Sequence, residues 1–144
     1  MTEVAFHFNA PQKLAYACRL LRKAYLKGAQ LLVLVPDDQV QALDQALWLM
    51  APGEFVPHSL PTDPPGVQQH SPIRLVTQVP DTEASTVLVN LRDEAPQGFE
   101  RFARVIDVVT LDDNDRAQAR QRWRHYVAAG IEPQRHDLKL APHD

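Results

Sequence analysis

Hydrophobic positions change their spacing early in the chain, and the change predicts a strand followed by a helix. The stretch 3–8, EVAFHF, is short and rich in β-formers, which is typical of a buried strand. Apolar residues then recur at spacings of four, three and four, which places them on one face of a helix. These residues are Leu14, Cys18, Leu21 and Tyr25. We expect Asn9 to cap the start of this helix and Gly28 to end it.

A second strand and helix follow at once. The run 30–35, QLLVLV, is apolar throughout, as expected for a central strand that is covered on both faces. Pro36, Asp37 and Asp38 then suit the first turn of a helix. Helical spacing continues through four further apolar residues. These are Val40, Leu43, Leu47 and Met50. The order strand, helix, strand, helix predicts a parallel sheet.

The rest of the chain predicts a long loop, three more strands and a last helix. Residues 51–72 contain six prolines and two glycines and are expected to form a loop with a short extended piece. The further strands are expected at 72–77, 85–91 and 105–109, with a helical turn around Phe99 and Phe102 before the last of them. The final helix begins near 110–115 and runs to Ala129, where Gly130 ends it, and 131–144 is expected to be an irregular tail. About five strands and three or four helices fit a single α/β sandwich over residues 1–144, with a mostly parallel sheet.

Composition limits the possible functions. The 144 residues are 44% apolar and 23% charged, with a net charge of -3, which excludes a broadly basic coat for nucleic acid. Cys18 is the only cysteine and has no partner for an internal disulfide. The N-terminus lacks the pattern of a signal peptide, and no apolar run has the ~18 residues needed to span a bilayer. We therefore expect a cytoplasmic protein that does not bind membranes.

Catalytic motifs are missing from the sequence. The turn after the first strand, FNAPQK, lacks G-x-G-x-x-G, and no G-x-x-x-x-G-K-[ST] occurs, so no phosphate loop is expected. Six scattered histidines show no metal-ligand spacing, and we expect no metal and no cofactor. Cys18 is interpreted as a small buried hydrophobe. Asp107 is either a catalytic carboxylate or, as we favour, a buried acceptor for backbone donors.

An apolar run near the end of the second helix raises a different possibility. Residues 47–50 are four consecutive apolar side chains, which point in nearly every direction around a helix axis. One helix face cannot bury them all. Part of this surface is therefore expected to point outward, toward solvent or toward a partner.

The last helix carries a basic stripe that includes an aromatic residue. Arg116, Arg120, Trp123 and Val127 fall on one side, with Arg124 beside them. The neighbouring side, which is expected to face the core, is formed by Ala119, Tyr126 and Ala129. One interpretation is a solvated face whose Trp123 enters the core. A second is a site for an acidic peptide with a terminal aromatic residue and a free carboxylate, and a third is a site for single-stranded DNA, which the net negative charge disfavours.

Five stretches carry a resemblance to a known family. They are LDQALW (43–48), FVPHSL (55–60), VLVNLR (87–92), VIDVV (105–109) and ARQRWRHYVAAG (119–130). In this order and at this chain length, they resemble the chi subunit of the bacterial DNA polymerase III holoenzyme. The resemblance implies a Rossmann-like three-layer sandwich without a nucleotide-binding loop. It also implies a non-catalytic accessory of the clamp-loader complex.

The resemblance further implies an adaptor with two partners. One is the psi subunit, or another clamp-loader component or a helicase where psi is missing, and the other is the acidic C-terminal tail of single-stranded-DNA-binding protein. Residues implied in psi binding are Trp48 and Phe55 as anchors, with Leu47, Met50 and Val56 as support. Residues implied in tail binding are Arg116, Arg120 and Trp123, with Val109 as a pocket wall and Arg124 and Val127 beside them. No high-affinity contact with DNA is expected.

Two alternatives stay open beside the adaptor. A small α/β enzyme would place its site at the carboxyl ends of the strands, near Asn9, Pro36 and Asn90. It would show a deep pocket with converging polar groups, whereas an adaptor would have a filled sheet top and two exposed patches. The other alternative is a module that binds single-stranded DNA directly.

Overall fold

The computed structural model describes residues 2–49, 56–80 and 87–138. Their strands are β1 (Glu3–Ala10), β2 (Leu31–Leu34), β3 (Ile73–Val76), β4 (Val87–Asn90), β5 (Arg104–Thr110) and β6 (Gln134–Asp137). Their helices are α1 (Lys13–Leu26), α2 (Val40–Leu49), α3 (Pro65–His70) and α4 (Asp113–Ala128). Short 3-10 turns occur at Asp37–Gln39 and Phe99–Arg101.

One sheet joins the described strands in the order β3-β2-β4-β5-β1-β6, and every pairing is parallel. Alternate residues of each buried strand face opposite sides. In β2, Leu31 and Val33 pack with α1 and α2, whereas Leu32 and Leu34 pack with α4. The sheet is therefore covered on both faces, which confirms the three-layer, Rossmann-like sandwich and the parallel sheet.

The first strand and helix differ from the prediction at their junction. β1 continues to Ala10, and Asn9 lies within it at φ 71°, a left-handed conformation that asparagine tolerates better than most residues. Gln12, not Asn9, occupies the N-cap position of α1. Gly28 ends the helix as predicted, at φ 82°, and its N–H donates to the Tyr25 carbonyl.

Two further elements were not predicted. α3 forms inside the proline-rich stretch that was expected to be a loop, with Pro65 at its first turn. β6 replaces part of the expected irregular tail and pairs with β1 although all four of its residues are exposed. Neither element has a buried apolar face, so hydrophobic spacing carried no signal for them.

Cys18 confirms its interpretation as a buried hydrophobe. It packs between α1 and the sheet in the larger apolar cluster. Burial raises the pKa of its thiol to about 11, so the reactive thiolate is scarce at neutral pH.

Asp107 is the centre of a buried polar network. Its Oδ1 accepts from Arg122 Nε and from Asn90 Nδ2, each at 2.8 Å, and its Oδ2 accepts from the Tyr126 hydroxyl at 2.8 Å. Asp107 is thus a buried acceptor, as favoured, but the prediction that backbone groups donate to it is wrong, because three side chains do so. Arg122 also donates from Nη1 to the Asp93 carbonyl at 2.8 Å. Burial raises the pKa of Asp107, and the Arg122 guanidinium opposes that rise.

Removal of the arginine from this network tests its importance for stability. Arg122→Met is expected to lower the free energy of unfolding by about 3 to 5 kcal/mol, because it leaves the Asp107 carboxyl buried without its cation. Urea unfolding measures the change, and Arg124→Met on the exposed side of the same helix is the matched control, with an expected change of about 0.5 kcal/mol or less. Equal losses in both variants would show that the buried pair has no special role.

His7 lies where β1, β6 and α1 meet. Its Nδ1 is hydrogen-bonded to the Tyr16 hydroxyl, and its ring centroid is 5.0 Å from that of His136 on β6. Within the described residues its buried Nε2 has no hydrogen-bond partner. Burial first, then the charges of His136 and Arg104, lower the pKa of His7 from 6.5 to about 4. The folded protein therefore holds this imidazole neutral.

A loss of stability in mild acid follows from this shift. The unfolded chain binds a proton at His7 below pH 6.5 but the folded chain does so only near pH 4, so this contribution is complete above pH 6.5 and is lost as the pH falls to 4. We expect about 1 to 3 kcal/mol to be lost over this range. Unfolding at a series of pH values measures it, and His7→Gln should flatten the profile, whereas His70→Gln at an exposed site should leave it unchanged. A profile for His7→Gln as steep as that of the wild type would contradict the assignment.

Candidate protein-interaction surfaces

The start of α4 is fixed to the end of β5. The Asp112 carboxylate caps the helix by accepting from Asp115 N–H at 3.0 Å. The Asp115 carboxylate accepts from Thr110 N–H at 2.8 Å and pairs with Lys13 Nζ of α1 at 3.0 Å. Partial burial opposes ionisation of Asp115, but these donors hold its pKa below the usual range. The helix is thus secured at its first turn and, through Arg122, in its middle.

The predicted basic stripe lies on one side of this helix. We call Arg116, Arg120, Trp123, Arg124 and Val127 the α4 stripe. Arg120, Arg124 and Val127 are exposed, and Arg116 is half-buried. Within the described part of the chain, none of the three guanidinium groups forms a hydrogen bond or an ion pair. Three arginines thus keep their donors available beside one aromatic ring.

Trp123 forms the base of the stripe. Its ring centroid lies 5.1 Å from Phe6 and 6.4 Å from Phe8, both on β1, and part of the side chain stays accessible. The interpretation that Trp123 enters the core is thus correct for one side of the ring. Val109 belongs to the same apolar cluster but is completely enclosed. Its predicted role as a pocket wall is corrected, since it can support the core beneath the stripe but has no surface for a ligand.

The apolar run at the end of α2 divides as the geometry requires. Leu47 is 1% exposed, whereas Trp48 is 55% and Leu49 is 77% exposed. The prediction that part of this run points outward is confirmed. Leu47 and Val56 are core residues, which corrects their predicted role as supports on the surface, and Leu49 is an exposed residue that was not singled out. The other two predicted residues, Met50 and Phe55, lie outside the described residues.

His58 holds the loop after α2 against the exposed tryptophan. Its ring meets the Trp48 ring edge-on, with centroids 5.7 Å apart. His58 Nδ1 donates to the Val56 carbonyl at 2.8 Å, and Nε2 lies 2.6 Å from Asp44 Oδ1 on α2. Asp44 lies in the stretch 43–48 and His58 in the stretch 55–60, so this contact joins two of the stretches that carry the resemblance. We define Trp48 and Leu49 as the α2 patch.

A cavity of about 1120 Å³ lies at the carboxyl ends of β2 and β3. The expectation of a filled sheet top is therefore wrong at this end of the sheet. Arg92, which lines the cavity, donates to Glu94 at 2.9 Å and to the Thr77 carbonyl at 3.1 Å, and it lies 3.7 Å from Asp37. These polar groups bind one another instead of converging on the space.

The three residues predicted for an enzyme site are not brought together there. Asn90 is fully buried and is committed to Asp107 and to the Arg92 N–H. Neither Asn9 nor Pro36 is among the described residues that line the cavity. Among residues 2–49, 56–80 and 87–138, no cluster of three histidine, cysteine or acidic side chains could hold a metal ion. No helix in those ranges is long and apolar enough to cross a membrane.

Fold and surfaces together define an α/β protein that has two separate exposed patches, the α4 stripe and the α2 patch, and no phosphate loop in its sequence. The model of the family described as DNA polymerase III chi subunit, HolC, matches residues 1–134. The chain therefore belongs to the DNA polymerase III chi subunit family, which confirms the resemblance. Proteins of this family are accessory subunits of a replicative polymerase and not catalytic ones.

Three bacterial relatives, each named DNA polymerase III subunit chi, support this assignment. The Pseudomonas aeruginosa protein is 32% identical over 143 residues, which cover 96% of this chain and 98% of the relative. The Haemophilus influenzae protein is 31% identical and the Escherichia coli protein 28% identical, each over 116 residues and 79% of this chain. These matches cover 79% and 78% of the respective relatives.

Proposed function

We propose that this chi-family protein is an adaptor in DNA replication. The α4 stripe binds the acidic C-terminal tail of single-stranded-DNA-binding protein. The α2 patch, together with Phe55 and Met50, binds psi, or another clamp-loader component or a helicase where psi is missing. The proposal implies a cytoplasmic location and no cofactor. The observation that carries it is the set of three arginines around the half-buried Trp123 whose guanidinium groups have no partner among the residues that the structure describes.

Charge and shape favour an acidic peptide as the ligand of the α4 stripe. Guanidinium groups bind carboxylates with two parallel hydrogen bonds, and a terminal carboxylate with nearby aspartates supplies several acceptors. The accessible side of Trp123 can pack against a terminal aromatic ring. The net charge of -3 opposes long nucleic acids, which gain most of their affinity from broad positive surfaces.

Opposite placement of the two surfaces favours simultaneous binding. α2 packs on one face of the sheet, through Leu43 and Leu47, and α4 packs on the other, through Ala119 and Tyr126. The sheet and its core separate the patches, so a partner on one does not cover the other. This arrangement suits a protein that joins two components.

Tail binding is tested with Arg120→Ala. We expect affinity for an acidic tail peptide to fall by about tenfold to a hundredfold, because a charge-assisted hydrogen bond contributes about 1.5 to 3 kcal/mol. Calorimetric titration at two salt concentrations measures it, and wild-type binding should weaken at the higher salt because the stripe is exposed.

Lys23→Ala is the matched control, since it removes a cation from the exposed side of α1 on the other face of the sheet. Equal peptide affinity in wild type and Arg120→Ala, or binding that salt does not alter, would rule out the tail site. A titration with a short single-stranded oligonucleotide tests the alternative that the protein binds single-stranded DNA directly. Tighter binding of the oligonucleotide than of the peptide would favour this alternative.

The α2 patch is tested with Trp48→Ala. We expect it to weaken the complex with psi by about 2 kcal/mol or more while the melting temperature stays close to that of wild type, because an exposed aromatic residue can be an interface anchor without being a core residue. Calorimetry with purified psi measures the complex.

One buried and one exposed leucine are the controls. Leu47→Ala should instead lower the free energy of unfolding by about 2 to 5 kcal/mol, since Leu47 is buried. Leu26→Ala, exposed at the end of α1, should alter neither binding nor stability. If Trp48→Ala unfolds the protein as Leu47→Ala does, Trp48 is a core residue and the assignment is wrong.

A further inference from the structure

The edge strand β6 places two charged residues on the same face of the sheet as α4. In register, Arg135 pairs with Phe6 and Asp137 pairs with Phe8. Side chains of paired residues in a parallel ladder point to the same side, and Phe6 and Phe8 point toward α4. Arg135 confirms this direction, because its guanidinium carbon lies 4.2 Å from the centroid of the Phe8 ring.

The Trp123 side of α4 faces this strand, with β1 between the two. In the chain α4 connects β5 to β6, and β1 lies between those two strands in the sheet, so the helix crosses above β1. Arg122 points from the helix toward Asp107 on β5, whereas Trp123 contacts Phe6 and Phe8 on β1. The tryptophan side of α4 is therefore the side nearer to β6. Phe8, which is 9% exposed, contacts both Trp123 and Arg135 and lies between them.

On β6, Arg135 forms an ion pair with an exposed acidic neighbour. Its Nε donates to both carboxylate oxygens of Asp137, at 2.9 and 3.0 Å. Both side chains are 52% exposed, so water screens the pair and another carboxylate can replace Asp137 at little cost. Asp137 is itself a negative charge beside Arg135 and repels an acidic ligand.

We infer that Arg135, on β6, is a specificity-determining residue that binds the acidic side chains of the peptide. Asp137 restrains this binding because it forms an ion pair with Arg135. The inference rests on the proposed tail site. With it, the peptide lies between the α4 stripe and β6, so that its acidic side chains meet the arginines of α4 on one side and Arg135 on the other. The α4 stripe alone provides cations on one side of the peptide only.

Two substitutions of opposite expected sign test the inference. Arg135→Gln should weaken binding of a fluorescently labelled acidic peptide by about threefold to fivefold, and Asp137→Asn should tighten it by about twofold, as expected for exposed charge pairs. Fluorescence anisotropy at about 0.1 M salt, where the Debye length is ~10 Å, measures both, with a peptide that ends in an aromatic residue and a free carboxylate. Neutralising the peptide's upstream acidic residues to Asn should abolish the difference between wild type and Arg135→Gln.

Lys23→Gln and Asp38→Asn are the matched controls. They change the net charge by the same amounts at exposed positions on α1 and before α2, which cover the other face of the sheet. Both should change the affinity by less than about 1.5-fold, because salt screens charges beyond a Debye length. Melting temperatures show whether the loss of Arg135 over Phe8 disturbs the fold, and Asp137→Asn, which keeps that contact, provides the independent readout.

The outcomes separate this inference from the proposed function. If Arg135→Gln and Asp137→Asn match their controls while Arg120→Ala weakens binding, Arg135 and Asp137 do not contribute to binding. The inference is then wrong, although the tail site stands. If Arg120→Ala also leaves binding unchanged, the proposed tail site itself fails. Weaker binding by Arg135→Gln without tighter binding by Asp137→Asn would support the claim that Arg135 binds the peptide. It would overturn the claim that Asp137 restrains this binding.

Discussion

The contact between Asp107 and Arg122 determines how the last helix lies on the sheet. A carboxylate inside a parallel sheet needs donors, and here Arg122, Tyr126 and Asn90 supply them from one helix and the adjacent strand. An arginine that points inward fixes the rotation of the helix about its axis. Trp123, the next residue, is then turned by about 100° toward β1, and the α4 stripe comes to lie beside it.

This arrangement places a buried arginine and exposed arginines on a single helix. Arg122 is almost fully buried and donates from Nε to Asp107 and from Nη1 to the Asp93 carbonyl, whereas its Nη2 has no hydrogen-bond partner among the described residues. Arg120 and Arg124, two positions away on either side, point outward and keep their donors unpaired among the described residues. The same residue type thus stabilises the fold in one position and is available to a ligand in the next. Burial, and not residue identity, decides which role each arginine has.

A parallel sheet of the nucleotide-binding type here separates the two exposed patches, which lie on opposite faces. Polar groups at its carboxyl ends pair with one another, as Arg92 does with Glu94, and the turn after the first strand has no glycines to admit a phosphate. The two helical layers carry the exposed patches instead. Function in such a fold lies in the surfaces that it presents, so the fold by itself did not indicate what the protein does.

Hydrophobic spacing was sufficient for the strands and helices that bury a face and failed for those that do not. β2 and α1 were predicted from their apolar residues, because burial imposes a period on the sequence. β6 has four exposed polar residues and exists because the free edge of β1 offers backbone partners, with Leu138 N–H extending the pairing to the Phe8 carbonyl. α3 likewise has no buried residue among those described.

The sequence by itself determined the layered α/β architecture, the basic stripe and the need for some of 47–50 to face outward, since each depends on spacing along one element. Only the tertiary structure decided which residues of those sets are accessible. It buried Leu47 and Val109, exposed Leu49, gave Asp107 side-chain donors, and brought Arg135 toward Trp123 across Phe8. These outcomes depend on contacts between elements far apart in the chain, and local periodicity contains no information about which neighbour will cover a given side chain.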